Sequence, residues 1–111
     1  MSRGVYAHRI DENQNTIVKT FRKLGASVLI LSEVGKGCPD ILIGMTDSVG
    51  EKHNILIEIK DGNKPPSQQK LTQFEAKFFD TWKGYICIIR NQDEAIELFN
   101  SIRQGTNINL L

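Results

Sequence analysis

The segment Asn54-Ile55-Leu56-Ile57-Glu58-Ile59-Lys60 constrains the fold more than any other stretch of the chain. Isoleucines at 55, 57 and 59 fall on one side of an extended backbone, and Glu58 and Lys60 fall on the other, because successive side chains of a strand point to opposite faces. A helical period would scatter the three isoleucines around the axis. The chain therefore needs a sheet with one buried face, and Glu58 and Lys60 share the face opposite to it.

Glycine and proline punctuation divides the rest. Asp11–Leu24 reads as a helix, with Ile17, Val18, Phe21 and Leu24 on one face, Asp11 as N-cap and Gly25 as the residue that stops it. Ala26–Ser32 has the pattern of a buried strand. Val34–Pro39 is a Gly/Pro loop, Asp40–Met45 a second strand, Thr46–His53 a polar connection holding His53, and Asn54–Lys60 the third strand. After the breaker-rich turn 61–66, Ser67 is placed to cap a helix running to about Trp82, with Leu71, Phe74 and Phe78 on its apolar side. Tyr85–Ile89 is a fourth strand. Asn91 and Glu94 stand at capping-box spacing before a last helix that Gly105 ends. The order is αβββαβα. Short loops between the first three strands predict an antiparallel meander, and the helical crossover places the fourth strand parallel to a neighbour. The expected class is α/β: a mixed sheet flanked by helices.

A chain of 111 residues accommodates a single domain, with residues 1–9 as a basic arm and 106–111 as a tail. Forty per cent apolar and 24% charged residues fit a globular protein and not a disordered one. No apolar run reaches membrane-span length, and Met1–Arg9 has no signal-like apolar stretch. The two cysteines, Cys38 and Cys87, lack metal-type spacing, so neither a disulfide scaffold nor a structural zinc site is expected, and a cytoplasmic location with reduced thiols is. Fourteen Lys and Arg against thirteen Asp and Glu give a net charge of +1. Any role with DNA must come from local arrangement rather than from bulk charge.

Folding the second and third strands into a hairpin about residues 47–53 pairs positions whose numbers sum to roughly 98–100, which sets Asp40 opposite or diagonal to Glu58, about 5 Å apart. Two carboxylates at that distance repel unless a cation lies between them, and oxygen donors select hard ions such as Mg²⁺ or Mn²⁺. A lysine beside such an ion can orient a water and stabilise a phosphoryl oxygen. Cation, lysine and water together make a phosphodiester hydrolysis site.

Pro39-Asp40 followed by Glu58-Ile59-Lys60 resembles the PD…E-x-K signature of the PD-(D/E)XK nuclease superfamily. Gly35-Lys36-Gly37-Cys38-Pro39-Asp40 and Pro66-Ser67-Gln68-Gln69-Lys70 are similar to the G-x-PD loop and the helix-opening segment of its virus-type replication-repair nuclease (VRR-NUC) family, over roughly residues 10–100. The resemblance implies a restriction-endonuclease-like fold and a DNA endonuclease dependent on Mg²⁺, with Mn²⁺ substituting. It implies Asp40, Glu58 and the Ile59 carbonyl as metal ligands, Lys60 as the catalytic lysine, Gln69 as a site glutamine and Glu12 as an outer or second-metal ligand. Ser67 stands where the family often has proline. Members of this length resemble Holliday junction resolvases and act as homodimers on four-way junctions.

Blander readings stand beside these. Asp40 could be a turn residue, Glu58 and Lys60 a solvated strand face, Glu12 a dipole-favoured first-turn acid, Gln69 a surface residue and Cys38 a small buried thiol. Lys36, Lys64, Lys70 and Arg9 are candidate phosphate contacts or solvated cations in equal measure. The alternative functions are a same-fold nuclease acting on flaps or duplex DNA, and a DNA-binding module without catalysis.

Overall fold

The computed structural model describes residues 12–105. The basic arm with Arg9, the Asp11 N-cap and the C-terminal tail lie outside the described residues. Helix α1 spans Glu12–Leu24, β1 Ser27–Ile30, β2 Ile41–Thr46 and β3 Lys52–Ile59. A single 3₁₀ turn covers Pro66–Gln68, and α2 (Gln73–Thr81), β4 (Ile86–Ile89) and α3 (Gln92–Arg103) follow. The four strands form one sheet in the order β1-β2-β3-β4. The first two pairings are antiparallel and β3–β4 is parallel, as the helical crossover requires. The fold is thus a mixed α/β sheet flanked by helices in the order αβββαβα.

One face of the sheet is the core. Ile41, Ile43 and Met45 of β2, Ile55, Ile57 and Ile59 of β3, and Cys87 and Ile89 of β4 pack with Ile17, Val18 and Phe21 of α1 and Ala95, Leu98, Phe99 and Ile102 of α3. Each fully buried isoleucine contributes about 1.5–3 kcal/mol, so the period-2 pattern decides which face lies inward. The opposite face carries Leu42, Leu56, Glu58, Ile86 and Ile88.

Four expectations need correction. The Ala26–Ser32 segment is not a buried strand. Its ordered part, β1, pairs with β2 alone, and as the sheet's edge it leaves Leu29 57% and Ile30 49% exposed. The 67–82 helix does not start at Ser67. After Pro65 and Pro66 the chain makes one 3₁₀ turn, and the true N-cap is Thr72, whose hydroxyl accepts from the Glu75 amide while the Glu75 carboxylate accepts from the Thr72 amide. This reciprocal box outcompetes a serine with no acid three residues on. His53 belongs to β3, not to the 46–53 connection. At α3, Asn91 caps the Glu94 amide as expected, but the Glu94 carboxylate takes the Arg90 amide instead of closing the box.

Candidate metal centre

The β2–β3 register runs Ile41↔Ile57 through Thr46↔Lys52, so paired numbers sum to 98 and Asp40 enters β2 opposite Glu58. The Asp40 amide donates to the Ile57 carbonyl, 3.0 Å away, and the Ile59 amide donates to Asp40 Oδ2 at 2.7 Å. These bonds fix the Asp40 side chain across the hairpin, against the backbone of the strand that bears Glu58. Pro39, fully buried, anchors the loop just before it. An extended residue directs its N–H and C=O to the same edge, so the Ile59 carbonyl also points to the Asp40 side of β3. Its isoleucine side chain stays in the core.

Glu58 is only 3% exposed. Its carboxyl neighbours those of Asp40, directly across the hairpin, and Glu75, whose charges both act on it. Lys60 Nζ lies 3.4 Å from Glu58 Oε2 and 2.8 Å from Glu75 Oε1. The cluster is therefore three carboxyls and one ammonium, on the sheet face opposite the core. Burial, then the neighbouring Asp40 and Glu75 charges, push the Glu58 pKa up from 4.5 to about 8. Burial is also the main cause raising Asp40, opposed by the Ile59 amide. Burial penalises both partners of the Lys60–Glu75 bridge. The hydrogen-bonded ion pair overrides it in each, so Lys60 is raised and Glu75 lowered. Burial and the Asp40 and Glu58 charges also push the half-buried Cys38 thiol up, which makes it a poor nucleophile.

The structure brings Asp40, Glu58, Lys60 and the Ile59 carbonyl together, and adds Glu75, which sequence reasoning missed. The sequence does offer Thr72-x-x-Glu75 as a capping box six residues after the 61–66 turn, but not the approach of Glu75 to the cluster. The packing of Gly37 on α2 brings the two loops together. A Cβ on Gly37, whose φ is +80°, would stand 2.4 Å from the Phe74 carbonyl oxygen and 2.9 Å from the Glu75 amide nitrogen.

Two expected members are elsewhere. Gln69 is not on a helix and does not look into the cluster. Its amide nitrogen donates to the Lys64 carbonyl at 2.7 Å and reaches the Gly62 carbonyl at 3.5 Å, clamping the 61–64 turn. Glu12 is exposed and makes no ion pair or hydrogen bond among the described residues. Its neighbour Asn13 reaches the sheet instead, donating to the carbonyls of Lys60 at 3.0 Å and Arg90 at 3.2 Å. Lys36, Lys64 and Lys70 are exposed, on the loops that precede Asp40 and follow Lys60 in the chain.

At the other end of the hairpin, Asp47, Glu51 and His53 hold potential ligand atoms within 4.8 Å of one another. The Asp47 carboxylate is already committed there. It accepts from His53 Nε2 at 2.9 Å and from the Val49 and Glu51 amides, and these bonds, the His53 bond above all, lower its pKa. That group closes the β2–β3 turn, about 20 Å of strand away from Asp40.

Comparison of the chain with protein-family models, with curated proteins and with solved structures finds no match. Among the described residues no helix is long and apolar enough to cross a membrane.

Proposed function

We propose that this chain is a divalent-metal-dependent DNA endonuclease of the VRR-NUC kind, restriction-endonuclease-like in fold, which hydrolyses phosphodiester bonds in branched DNA as a homodimer resolving four-way junctions. The observation that carries the reading is the placement of the half-buried Asp40 carboxyl across the hairpin from the buried Glu58, with Lys60 Nζ 3.4 Å from Glu58 Oε2. Two neighbouring carboxyls, one of them buried, are unstable together as anions unless a cation joins them. The donor set suits a hard ion: carboxylate oxygens and one strand carbonyl, with no sulfur or imidazole among them. Mg²⁺ fits, and Mn²⁺ would substitute.

Asp40 and Glu58 would hold the ion together with the Ile59 carbonyl. Bound there, it supplies a Lewis acid for the scissile phosphate and lowers the pKa of a coordinated water. The rest falls to the chain's own side chains. Lys60, held by Glu58 and Glu75, presents an ammonium next to the ligand carboxylates, where it orients the attacking water and stabilises a phosphoryl oxygen. The Ile59 amide keeps Asp40 from rotating out when its partner is absent. Exposed Lys36 and Lys64, on the loops that precede Asp40 and follow Lys60 in the chain, suit phosphate contacts. Exposed apolar groups at the β1 edge and around α2, Leu29, Ile30, Phe74 and Trp82 among them, offer surface for a second copy.

The test is cleavage of a labelled four-way junction, a flap and a blunt duplex in Mg²⁺ or Mn²⁺, with wild-type chain and with Asp40→Ala, Glu58→Ala and Lys60→Ala. Cleavage of the junction by wild type, lost in all three variants and in chelator, is the expected result. Undiminished cutting by any variant would remove the assignment.

A further inference from the structure

Beside the carboxylate cluster lies an open cavity of about 460 Å³. Its apolar lining is Pro66, Leu71 and Ile88, and its polar lining is Gln69, Lys70 and Arg90. No acidic residue lines it. The sheet register fixes its position: Ile88 of β4 is the direct neighbour of Glu58 of β3, so both side chains stand on the same face one strand spacing, about 4.8 Å, apart. The cavity continues the row from Asp40 through Glu58 toward the β4 edge.

The turn that precedes Pro66 is tied to the strand that bears Lys60. The Gly62 amide donates to the Arg90 carbonyl, the Lys60 amide donates to the Ile89 carbonyl, and Gln69 clamps the Gly62 and Lys64 carbonyls. The cavity and the carboxylates are therefore parts of one rigid assembly. Its chemistry is an apolar lining with two cations. The Arg90 guanidinium is only loosely engaged, 3.9 Å from Glu94, and Lys70 is exposed.

We propose that this cavity receives one unpaired nucleotide of a DNA strand, lying next to the phosphate held at Asp40 and Glu58. The base packs on Leu71, Ile88 and Pro66, as unstacked bases do on apolar side chains. Lys70 and Arg90 take the phosphate that links it to the next nucleotide. A base inside a duplex cannot enter, because pairing and stacking hold it in the helix. The cavity is thus a selector for DNA with unpaired nucleotides beside the cut. This rests on the nuclease reading and specifies its substrate as a branch at whose crossover a nucleotide is unpaired, the state that a short single-stranded flap reproduces.

The test measures binding separately from chemistry. Fluorescence anisotropy in EDTA compares a fluorescein-labelled duplex bearing a short single-stranded flap with the same duplex blunt-ended, for wild-type chain and for the Lys70→Ala/Arg90→Ala double variant. Circular dichroism checks the variant's fold, and calorimetry with Mn²⁺ checks its ion affinity. A flap preference of about tenfold in wild type, abolished in the folded variant with its Mn²⁺ affinity intact, is the expected result. Equal binding of flap and blunt duplex by wild type, or an undiminished preference in the variant, overturns the proposal. A flap preference in a chain that binds no Mn²⁺ would uphold the cavity and remove the metal reading instead.

Discussion

Replacing Glu58 with glutamine should stabilise the metal-free protein at alkaline pH. In the folded chain Glu58 titrates at about 8, against 4.5 for the unconstrained carboxyl. Its folded pKa is raised, so between those two values the native state keeps a proton that the unfolded chain has released. Stability therefore falls as pH rises through that window, and the full penalty is present above about pH 8. The ceiling is the whole shift, about 5 kcal/mol. Sharing of the proton with Asp40 and relaxation around the pair bring the net effect below it. Of the neighbouring groups, Asp40 is also raised by burial, so it adds a loss of the same sign that begins just above the ordinary carboxylate range in both proteins, while the other two act outside the window. Glu75 is lowered, so its contribution is lost only as pH drops below the ordinary carboxylate range, and Lys60 is raised, so its contribution is lost only in strong alkali. Glutamine keeps the shape and the hydrogen bonding while removing the charge. Thermal unfolding in EDTA should show wild type losing Tm from pH 5 to pH 8 and Glu58→Gln staying level and higher at pH 8, each kcal/mol being worth about 4–8 °C. Adding Mn²⁺ should reverse the ranking at pH 8, because the ion stabilises only the chain that can ligate it. A wild-type Tm independent of pH over this range in EDTA, or an equal response of both proteins to Mn²⁺, would refute the reasoning.

Two other substitutions probe how the cluster is held. Gly37→Ala should cost about 2–4 kcal/mol in urea unfolding, because the residue has a φ of +80° and the new methyl would collide with the backbone of Phe74 and Glu75. Thr72→Ala removes the hydroxyl that caps the Glu75 amide and should cost about 1 kcal/mol, with a matching fall in the urea midpoint.

The hairpin was legible because a period of two is unforgiving: Ile55, Ile57 and Ile59 must face inward together, and the pairing sum of 98 follows once the turn is placed at 47–51. Asp40, Glu58 and Lys60 inherit their positions from that pattern. The same logic failed at β1, where Val28-Leu29-Ile30 reads as core although an edge strand with one partner leaves two of these residues half-exposed or more. Nothing within a short apolar run tells how many neighbours it will have. Gln69 was misplaced because a serine after two prolines looks like a helix start, while the competing signal at Thr72 and Glu75 came five residues later. Glu75 enters the cluster through a tertiary contact, the seating of the Gly37 loop on α2, and a contact of that kind leaves no trace in local spacing.

The Asn13 side chain has a consequence for when the protein acquires its chemistry. One amide from the start of α1 bridges the carbonyls of Lys60 and Arg90, where the two parallel strands leave the sheet. A two-stranded hairpin on its own is only marginally stable in water. During synthesis the first helix therefore waits for a partner some eighty residues further along, about the span between Asn13 and Arg90. The carboxyls on the neighbouring strands settle only when that late stretch has cleared the ribosome, so a half-made chain carries the acids without the arrangement that the finished fold imposes on them.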